Sequence, residues 1–155
     1  MGSSSPSDYG NYYAWGETST KSNYSSTTSN TYGSSMGGIA GSTSYDAARA
    51  NWGASWRLPT QAEFQELEQK CSWTWTTQGV HKGYLVIGPS GKSIFLPATG
   101  WRDETSIGRI GEYGHYWSAT PSESHMAYYL YFHSASHNCG ANSRYIGRSV
   151  RPVTE

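Results

Sequence analysis

The chain has 155 residues, and its 11 basic and 11 acidic side chains give a formal net charge of zero. This length is typical of one domain, so we expect residues 1–155 to fold as a single unit. Without a basic excess the chain lacks the positive field that phosphate binding needs, so we expect no nucleic-acid partner. No apolar run approaches the ~20 residues of a membrane helix, so we expect no membrane insertion.

Aromatic residues take the place of aliphatic ones in the expected core. The chain has 7 Trp and 13 Tyr, whereas Leu, Ile and Val are scarce. Charged residues make up only 14% of the chain, and Ser, Thr, Gly, Asn and Tyr are abundant. This composition favours an extracellular location, on a cell surface or a virion.

Residues 1–44 are polar and predicted to be irregular. The tract 18–44 is rich in Ser, Thr, Asn and Gly, and its few anchors are Tyr24, Tyr32, Met36 and Ile39. Such a composition also fits a disordered segment. We favour a long ordered loop, because the tyrosine and isoleucine side chains can fix it to the core.

Two short helices are expected next. Ser44 can cap a helix over residues 45–51 that ends near Gly53. Thr60 and Glu63 form a capping-box pattern at the start of the second helix. Its apolar face follows from the spacing of Phe64, Leu67 and Cys71.

From residue 72 onward the chain is predicted to form strands. Gly, Pro and Asn separate them, and Gly88-Pro89-Ser90-Gly91 predicts a hairpin turn. The expected strands cover residues 73–77, 84–88, 93–97, 113–120, 126–133 and 145–152.

Alternation along residues 126–133 divides that strand into two faces. Tyr128, Leu130 and Phe132 share one parity and are expected in the core. Ala127, Tyr129, Tyr131 and His133 share the other and are expected to face outward. An exposed row of tyrosine and histidine is a candidate binding surface.

The segment 116–153 has the composition of a recognition surface. Large framework residues alternate there with Tyr, His, Ser, Asn, Gly and Ala. Tyrosine supplies amphipathic contact area at low entropic cost, and Ser, Gly and Asn supply adaptable hydrogen bonds. We therefore predict ligand binding by this segment, with Tyr129, Tyr131 and Tyr145 as its anchors.

The sequence gives little support for a catalytic site or a metal site. His133, His137 and Cys139 are zinc-type ligands, but their spacing is loose and no fourth ligand is evident. We recognise no nucleophile elbow, phosphate loop or His-Glu-x-x-His motif. We therefore predict no enzyme activity, no catalytic residue, no metal site and no cofactor. The acidic pair Asp103-Glu104 leaves a structural calcium ion open.

Several ordered motifs resemble the Fibrobacter succinogenes major paralogous domain. They are Trp56-Arg57-Leu58-Pro59-Thr60, Cys71-x-Trp73-x-Trp75, Ser93-Ile94-Phe95-Leu96-Pro97, Tyr116-Trp117-Ser118 and Ser149-Val150-Arg151-Pro152-Val153. The resemblance implies an α+β C-type lectin fold of the formylglycine-generating-enzyme type. Such a fold has two short helices, antiparallel strands and extensive irregular loops.

Within that fold, the chain resembles the variable proteins of diversity-generating retroelements in Bacteroides and its phages. In these proteins, adenine-directed mutagenesis turns AAC and AAT codons into NNC and NNT codons. The resemblance implies a diversified, ligand-binding surface for a protein or glycan, built from residues of the reachable types. These are Tyr129, Tyr131, His133, Ser136, His137, Asn138, Cys139, Gly140, Ala141, Asn142, Ser143, Tyr145, Ile146 and Arg148.

Two alternatives fit the same resemblance. The first is an undiversified secreted or cell-surface domain that binds glycan or serves a structural role. The second is a degenerate relative of the formylglycine-generating enzymes. Those enzymes need a cysteine pair near the C-terminus, whereas this chain has only Cys139 in that region.

Overall fold

The computed structural model describes residues 5–53 and 55–155. They form two short helices and ten strands, and all strand pairs are antiparallel. The fold class is therefore α+β, as predicted. The helices are α1 (Ala47–Trp52) and α2 (Gln61–Lys70), and neither is long and apolar enough to cross a membrane.

Helix α1 begins later than predicted, because Asp46 and not Ser44 is its N-cap. The Asp46 carboxylate accepts hydrogen bonds from the backbone N–H groups of Ala48 at 2.8 Å and Arg49 at 3.1 Å. It also accepts from the N–H groups of Gly41 and Leu58. A serine hydroxyl and a carboxylate can both cap a helix. Only the carboxylate also brings a negative charge to the positive end of the helix. The expected end at Gly53 is confirmed.

The capping box of α2 is confirmed. The N–H of Glu63 donates to the Thr60 hydroxyl, and the N–H of Thr60 donates to the Glu63 carboxylate at 2.7 Å. Two guanidinium nitrogens of Arg57 donate hydrogen bonds to the same carboxylate, at 2.7 and 2.9 Å. Hydrogen bonds from Arg57 lower the pKa of Glu63 to about 2. The start of α2 is thus tied to the strand before it.

The strands form four small sheets, with the orders β1-β10, β2-β3-β4, β5-β6 and β7-β8-β9. Strands β4 and β8 have the predicted bounds, and the turn between β3 and β4 is the predicted one. The strands are β1 (Trp56–Arg57), β2 (Ser72–Gln78), β3 (His81–Ile87), β4 (Ser93–Pro97), β5 (Trp101–Asp103), β6 (Ser106–Gly108), β7 (Tyr113–Pro121), β8 (Met126–His133), β9 (Ser136–Ser143) and β10 (Val153–Thr154).

The strand predicted over residues 145–152 is wrong. Only isolated bridges occur there, from Gly147 to Arg102, from Arg148 to Tyr13 and from Ser149 to Tyr116. Each residue pairs with a different part of the chain, so no single ladder can form. The C-terminal strand is instead β10, which pairs with β1. Strands β5, β6 and β9 were not predicted.

Two hydrophobic clusters lie on opposite faces of β8, and both are rich in aromatic residues. The first contains Tyr13, Trp15, Trp117 and Tyr129. The second contains Phe64 of α2 together with other buried residues of β3, β4, β7 and β8. The expectation of an aromatic core is therefore confirmed.

The N-terminal region is irregular but packed, as expected for the part of it that the structure describes. Its first four residues lie outside the described ranges. Tyr24 and Ile39 are only 1% and 3% exposed, and Met36 packs against the first cluster. Trp15 donates from its indole N–H to the carbonyl oxygen of Ser118 at 2.9 Å. This loop therefore closes one side of the core.

Candidate functional site

Strand β8 is buried on both faces, which corrects the predicted division into inward and outward halves. It is the middle strand of its sheet, and each face meets a different hydrophobic cluster. Leu130 and Phe132 are fully buried, as expected. Ala127 and Tyr129, predicted to face outward, are 0% and 8% exposed. Tyr128, predicted in the core, is only partly buried.

Strand β9 carries the largest continuous part of the predicted surface. It lies at the edge of its sheet and pairs with β8 from Ser143↔Met126 to Ser136↔His133. Ser136, Asn138 and Asn142 are exposed, whereas Gly140, Ala141 and Ser143 are partly buried. Strand β9 therefore presents adaptable polar side chains at the edge of the sheet, and its pairing with the buried strand β8 fixes their positions.

His137 and Cys139 belong to the core side of β9 and not to its exposed side. The His137 ring stacks on Trp73 with 4.2 Å between ring centroids. Cys139 pairs with Leu130 and packs against the second cluster. Burial raises the pKa of the Cys139 thiol to about 12. A protonated thiol is a poor nucleophile and a poor metal ligand.

An open cavity of about 510 Å³ lies beside the Tyr129 face of β8. Residues from β5, β7, β8 and β9 and from the loop after β9 line it. Six of the predicted site residues meet here: Tyr129, Tyr131, Asn142, Tyr145, Ile146 and Arg148. Five further lining residues were not predicted: Trp101, Asp103, Arg109, Tyr113 and His115.

Rings in contact with one another form a continuous aromatic wall in this cavity. Trp101 and His115 are stacked, with centroids 4.7 Å apart and planes inclined by 15°. Tyr129 lies 5.2 Å from His115 and 5.5 Å from Tyr131. Ring contacts of this kind contribute about 0.5–1.5 kcal/mol each beyond the area they bury. The wall is therefore a rigid surface as well as a large one.

Arg148 is a buried cation at this site, 1% exposed. Its guanidinium carbon lies 4.2 Å from the Trp117 ring centroid and 4.0 Å from that of Tyr129. Its backbone is fixed by two hydrogen bonds with Tyr13, at 2.9 and 3.0 Å. Burial lowers the pKa of Arg148 to about 10. The side chain therefore keeps its positive charge at neutral pH.

His115 is neutral at the same site. It is 8% exposed, and burial, with a smaller effect from the neighbouring Arg148 charge, lowers its pKa to about 3. Its Nδ1 atom is buried and has no hydrogen-bond partner within the part of the chain that the structure describes. The imidazole thus adds polarity to the cavity without adding charge.

Three residues of the predicted exposed surface are buried instead. Tyr129, Ile146 and Arg148 are 8%, 7% and 1% exposed. They form the inner lining of the cavity. Tyr129 belongs to the first cluster, and Arg148 packs on Trp117 of that cluster. Tyr131, His133 and Tyr145 are partly buried and keep some exposed surface.

The other candidate chemistries gain no geometric support. No group of three His, Cys, Asp or Glu side chains lies together in residues 5–53 and 55–155. Glu104, of the acidic pair considered for calcium, has a φ of 50° and pairs through its backbone with Tyr24. Arg57 and Arg144 bind carboxylate or carbonyl oxygens within the protein.

The five unpredicted lining residues come from β5, β7 and the loop before β7, outside the segment singled out by composition. Their only local signal was the density of aromatic residues around Trp101 and Tyr113. Nothing in that signal tells which face each ring occupies. A tertiary contact, the Trp101–His115 stack, brings β5 and β7 to the cavity.

The chain belongs to the family described as Domain of unknown function (DUF8237), whose model matches residues 73–153. The matched span contains β3 to β9, all of β2 except Ser72, and every residue that lines the cavity. No curated protein and no solved structure matches the chain.

Proposed function

We propose that this protein is a non-enzymatic ligand-binding module that presents its C-terminal surface to a protein or glycan on a cell surface. The observation that carries the proposal is the cavity, where Tyr131, Asn142 and Tyr145 keep exposed surface. The buried rings of His115 and Tyr129 line the same cavity. Interface hot spots are enriched in Tyr, Trp and Arg and cluster where water is excluded. The same residue types dominate this lining.

The mechanism is rigid presentation. Leu130 and Phe132 are 0% exposed and hold β8 in the core, while β9 follows β8 in an unbroken register. The loop after β9 is held by Arg144, which donates to the carbonyl oxygens of Thr31 and Ser34. These contacts do not involve the exposed side chains of the edge. We therefore expect substitutions of those side chains to change the free energy of unfolding by no more than about 0.5 kcal/mol.

We further propose a C-type lectin fold for this domain. Two short helices, small antiparallel sheets and a long packed irregular region agree with that architecture. An experimental structure with a different helix and strand arrangement would overturn the proposal. The fold itself assigns no chemistry, so the functional proposal depends on the cavity.

Diversification by a retroelement is the origin that we propose for the surface, in a secreted or virion protein of Bacteroides or its phage. Exposed Ser136, Asn138 and Asn142 support it, because side chains at these positions can vary freely. The nucleotide sequence of the gene tests it. We expect NNC or NNT codons at the predicted positions, with a near-repeat template and a reverse transcriptase nearby. Unbiased codons without a template would contradict it.

An undiversified surface domain is the second candidate. Burial of Tyr129 and Arg148 favours it, because random substitution at these positions would disturb the first cluster. The same gene sequence separates the two candidates. A cysteine oxidase is disfavoured because those enzymes need a cysteine pair near the C-terminus, where this chain has only Cys139.

Binding itself is tested with glycan and protein arrays. The test variant replaces Tyr131, Asn142 and Tyr145 by alanine, which strips the exposed lining of the cavity. We expect it to lose the array ligands of the unmodified protein. The matched control replaces three exposed α2 residues, Gln65, Glu66 and Gln69, and should keep them. Retention of every ligand by the test variant would refute the proposed site.

A further inference from the structure

Two buried arginines of this protein have very different surroundings. Arg144 and Arg148 are each 1% exposed, and each lies over a tryptophan ring. Arg144 uses four of its five guanidinium N–H groups within the protein. It donates to the carbonyl oxygens of Thr31, Ser34, Glu123 and Met126, at 2.6 to 3.2 Å.

Arg148 lacks such a set of carbonyl acceptors. The Tyr129 side chain gives its guanidinium one hydrogen bond, and the Asp103 charge acts on it without forming an ion pair. One of its terminal nitrogens reaches the Ser143 carbonyl oxygen at 3.5 Å, a long contact for a hydrogen bond. Its Nε is buried and has no hydrogen-bond partner among the residues that the structure describes. It also makes no ion pair within those residues. A buried charge is costly unless an opposite charge or several hydrogen bonds compensate it.

The surroundings of Arg148 point to a ligand as the missing partner. Arg148 lines the open cavity, and so does His115, whose buried Nδ1 also lacks a partner. Two unsatisfied polar groups in one cavity are unusual, since buried polar groups are nearly always hydrogen-bonded. The Arg148 charge acts on the His115 ring, which places the two groups near each other.

The charges around the cavity indicate which kind of ligand group fits beside Arg148. Arg109 lines the cavity but is paired with Glu112 at 3.0 Å, and Asp103 contributes a negative charge. Arg148 is thus the one cation of the lining without a carboxylate in contact, among the described residues. One positive charge matches a single negative charge, and Asp103 would repel a doubly charged phosphate. A carboxylate has the charge and planar geometry that a guanidinium binds best.

We propose that this cavity binds the acidic side chain of a protein ligand, with the carboxylate against Arg148 and neighbouring aromatic side chains against the tyrosines. This inference rests on the proposed function, since it names the group that the binding surface recognises. The lining favours a peptide over an acidic sugar. Besides Arg148 it is mostly aromatic, whereas a sugar acid needs several fixed polar partners for its hydroxyl groups.

The first experiment compares two blocked tripeptides by NMR titration, acetyl-Tyr-Glu-Tyr-amide and acetyl-Tyr-Gln-Tyr-amide. We expect the Glu peptide to bind about tenfold more tightly, because a hydrogen bond to a charged group is much stronger than one to a neutral amide. Equal affinities would overturn the inference. Glucuronate is the third probe, and its binding without that of the Glu peptide would also overturn it.

Two substitutions locate the carboxylate. Arg148→Met keeps the apolar contacts with Trp117 and Tyr129 and should abolish the preference for the Glu peptide. Because Arg148 is buried and the variant can fail to fold, the exposed Asp103→Asn is tested as well. Removing that negative charge should raise affinity for the Glu peptide about threefold and leave the Gln peptide unchanged. Glu66→Gln, the same charge change on α2, is the control.

An unchanged affinity in Asp103→Asn would contradict the placement beside Arg148. The outcome also separates this inference from the proposed function. If the cavity variant loses its array ligands while the two peptides bind equally, the binding module stands and only the carboxylate is refuted.

Discussion

The buried imidazole of His115 makes a specific prediction about the acid stability of this domain. In the folded protein its pKa is about 3, because burial disfavours the charged ring. In the unfolded chain its pKa is about 6.5. The unfolded state therefore takes up a proton between these values and the folded state does not. The stability contributed by neutral His115 is present above pH 6.5 and declines as the pH falls towards 3.

The size of the effect follows from linkage. Stability changes by about 1.4 kcal/mol per pH unit where one state alone binds a proton. From pH 6 to pH 4.5 the loss due to His115 is therefore about 2 kcal/mol. Glu63, with a folded pKa of about 2, also adds to acid destabilisation as the pH approaches its unfolded pKa. A variant without the histidine keeps this contribution, so the difference between the two proteins isolates the histidine.

His115→Phe keeps a ring against Trp101 and removes the titrating group. Urea denaturation at several pH values measures the free energy of unfolding of both proteins. We expect the unmodified protein to lose about 2 kcal/mol more than the variant from pH 6 to pH 4.5. The comparison uses the change in the free energy of unfolding with pH. A packing penalty from the larger phenylalanine is the same at every pH, so it does not affect this change. Parallel pH profiles would refute the assignment of a buried neutral His115.

Three further predictions concern stability, and chemical denaturation measures each. Thr60→Ala removes the N-cap hydroxyl of α2 and should cost about 1 kcal/mol; a loss near zero would show that the capping box is dispensable. Gly114→Ala places a methyl group inside the ring of Phe132 and should cost about 3 kcal/mol or prevent folding, whereas Gly37→Ala, with open space around it, should be nearly neutral. Asn138→Ala, on the exposed edge, should change stability by less than about 0.5 kcal/mol, and a larger loss would contradict rigid presentation.

Local signals predicted some elements well. The start of α2 was predictable because the Thr60–Glu63 box acts over three residues. Strands β4 and β8 were predictable because β-branched and aromatic residues dominate them. Strand β9 was missed because its sequence, SHNCGANS, contains no strong strand former. Its extended conformation depends on pairing with β8, which is a tertiary contact.

The candidate site was predictable only in part, for a similar reason. Composition identified Tyr131, Asn142 and Tyr145, which do line the cavity. The exposure predicted for Tyr129 was wrong, because alternation along one strand does not tell whether a second cluster covers its outer face. Residue type also could not show that Arg148 is buried. It also could not supply Trp101 and His115, which reach the cavity through contacts between distant segments.

Amide hydrogen exchange, with and without a ligand selected on the arrays, tests the proposed binding surface most directly. The account predicts slower exchange in β9 (Ser136–Ser143) and in the loop through Tyr145 when the ligand is bound. Exchange in the β2–β3 hairpin should stay unchanged in the same samples. Protection confined to that hairpin, or to the separate cavity beside Trp52 and Trp56, would contradict the account.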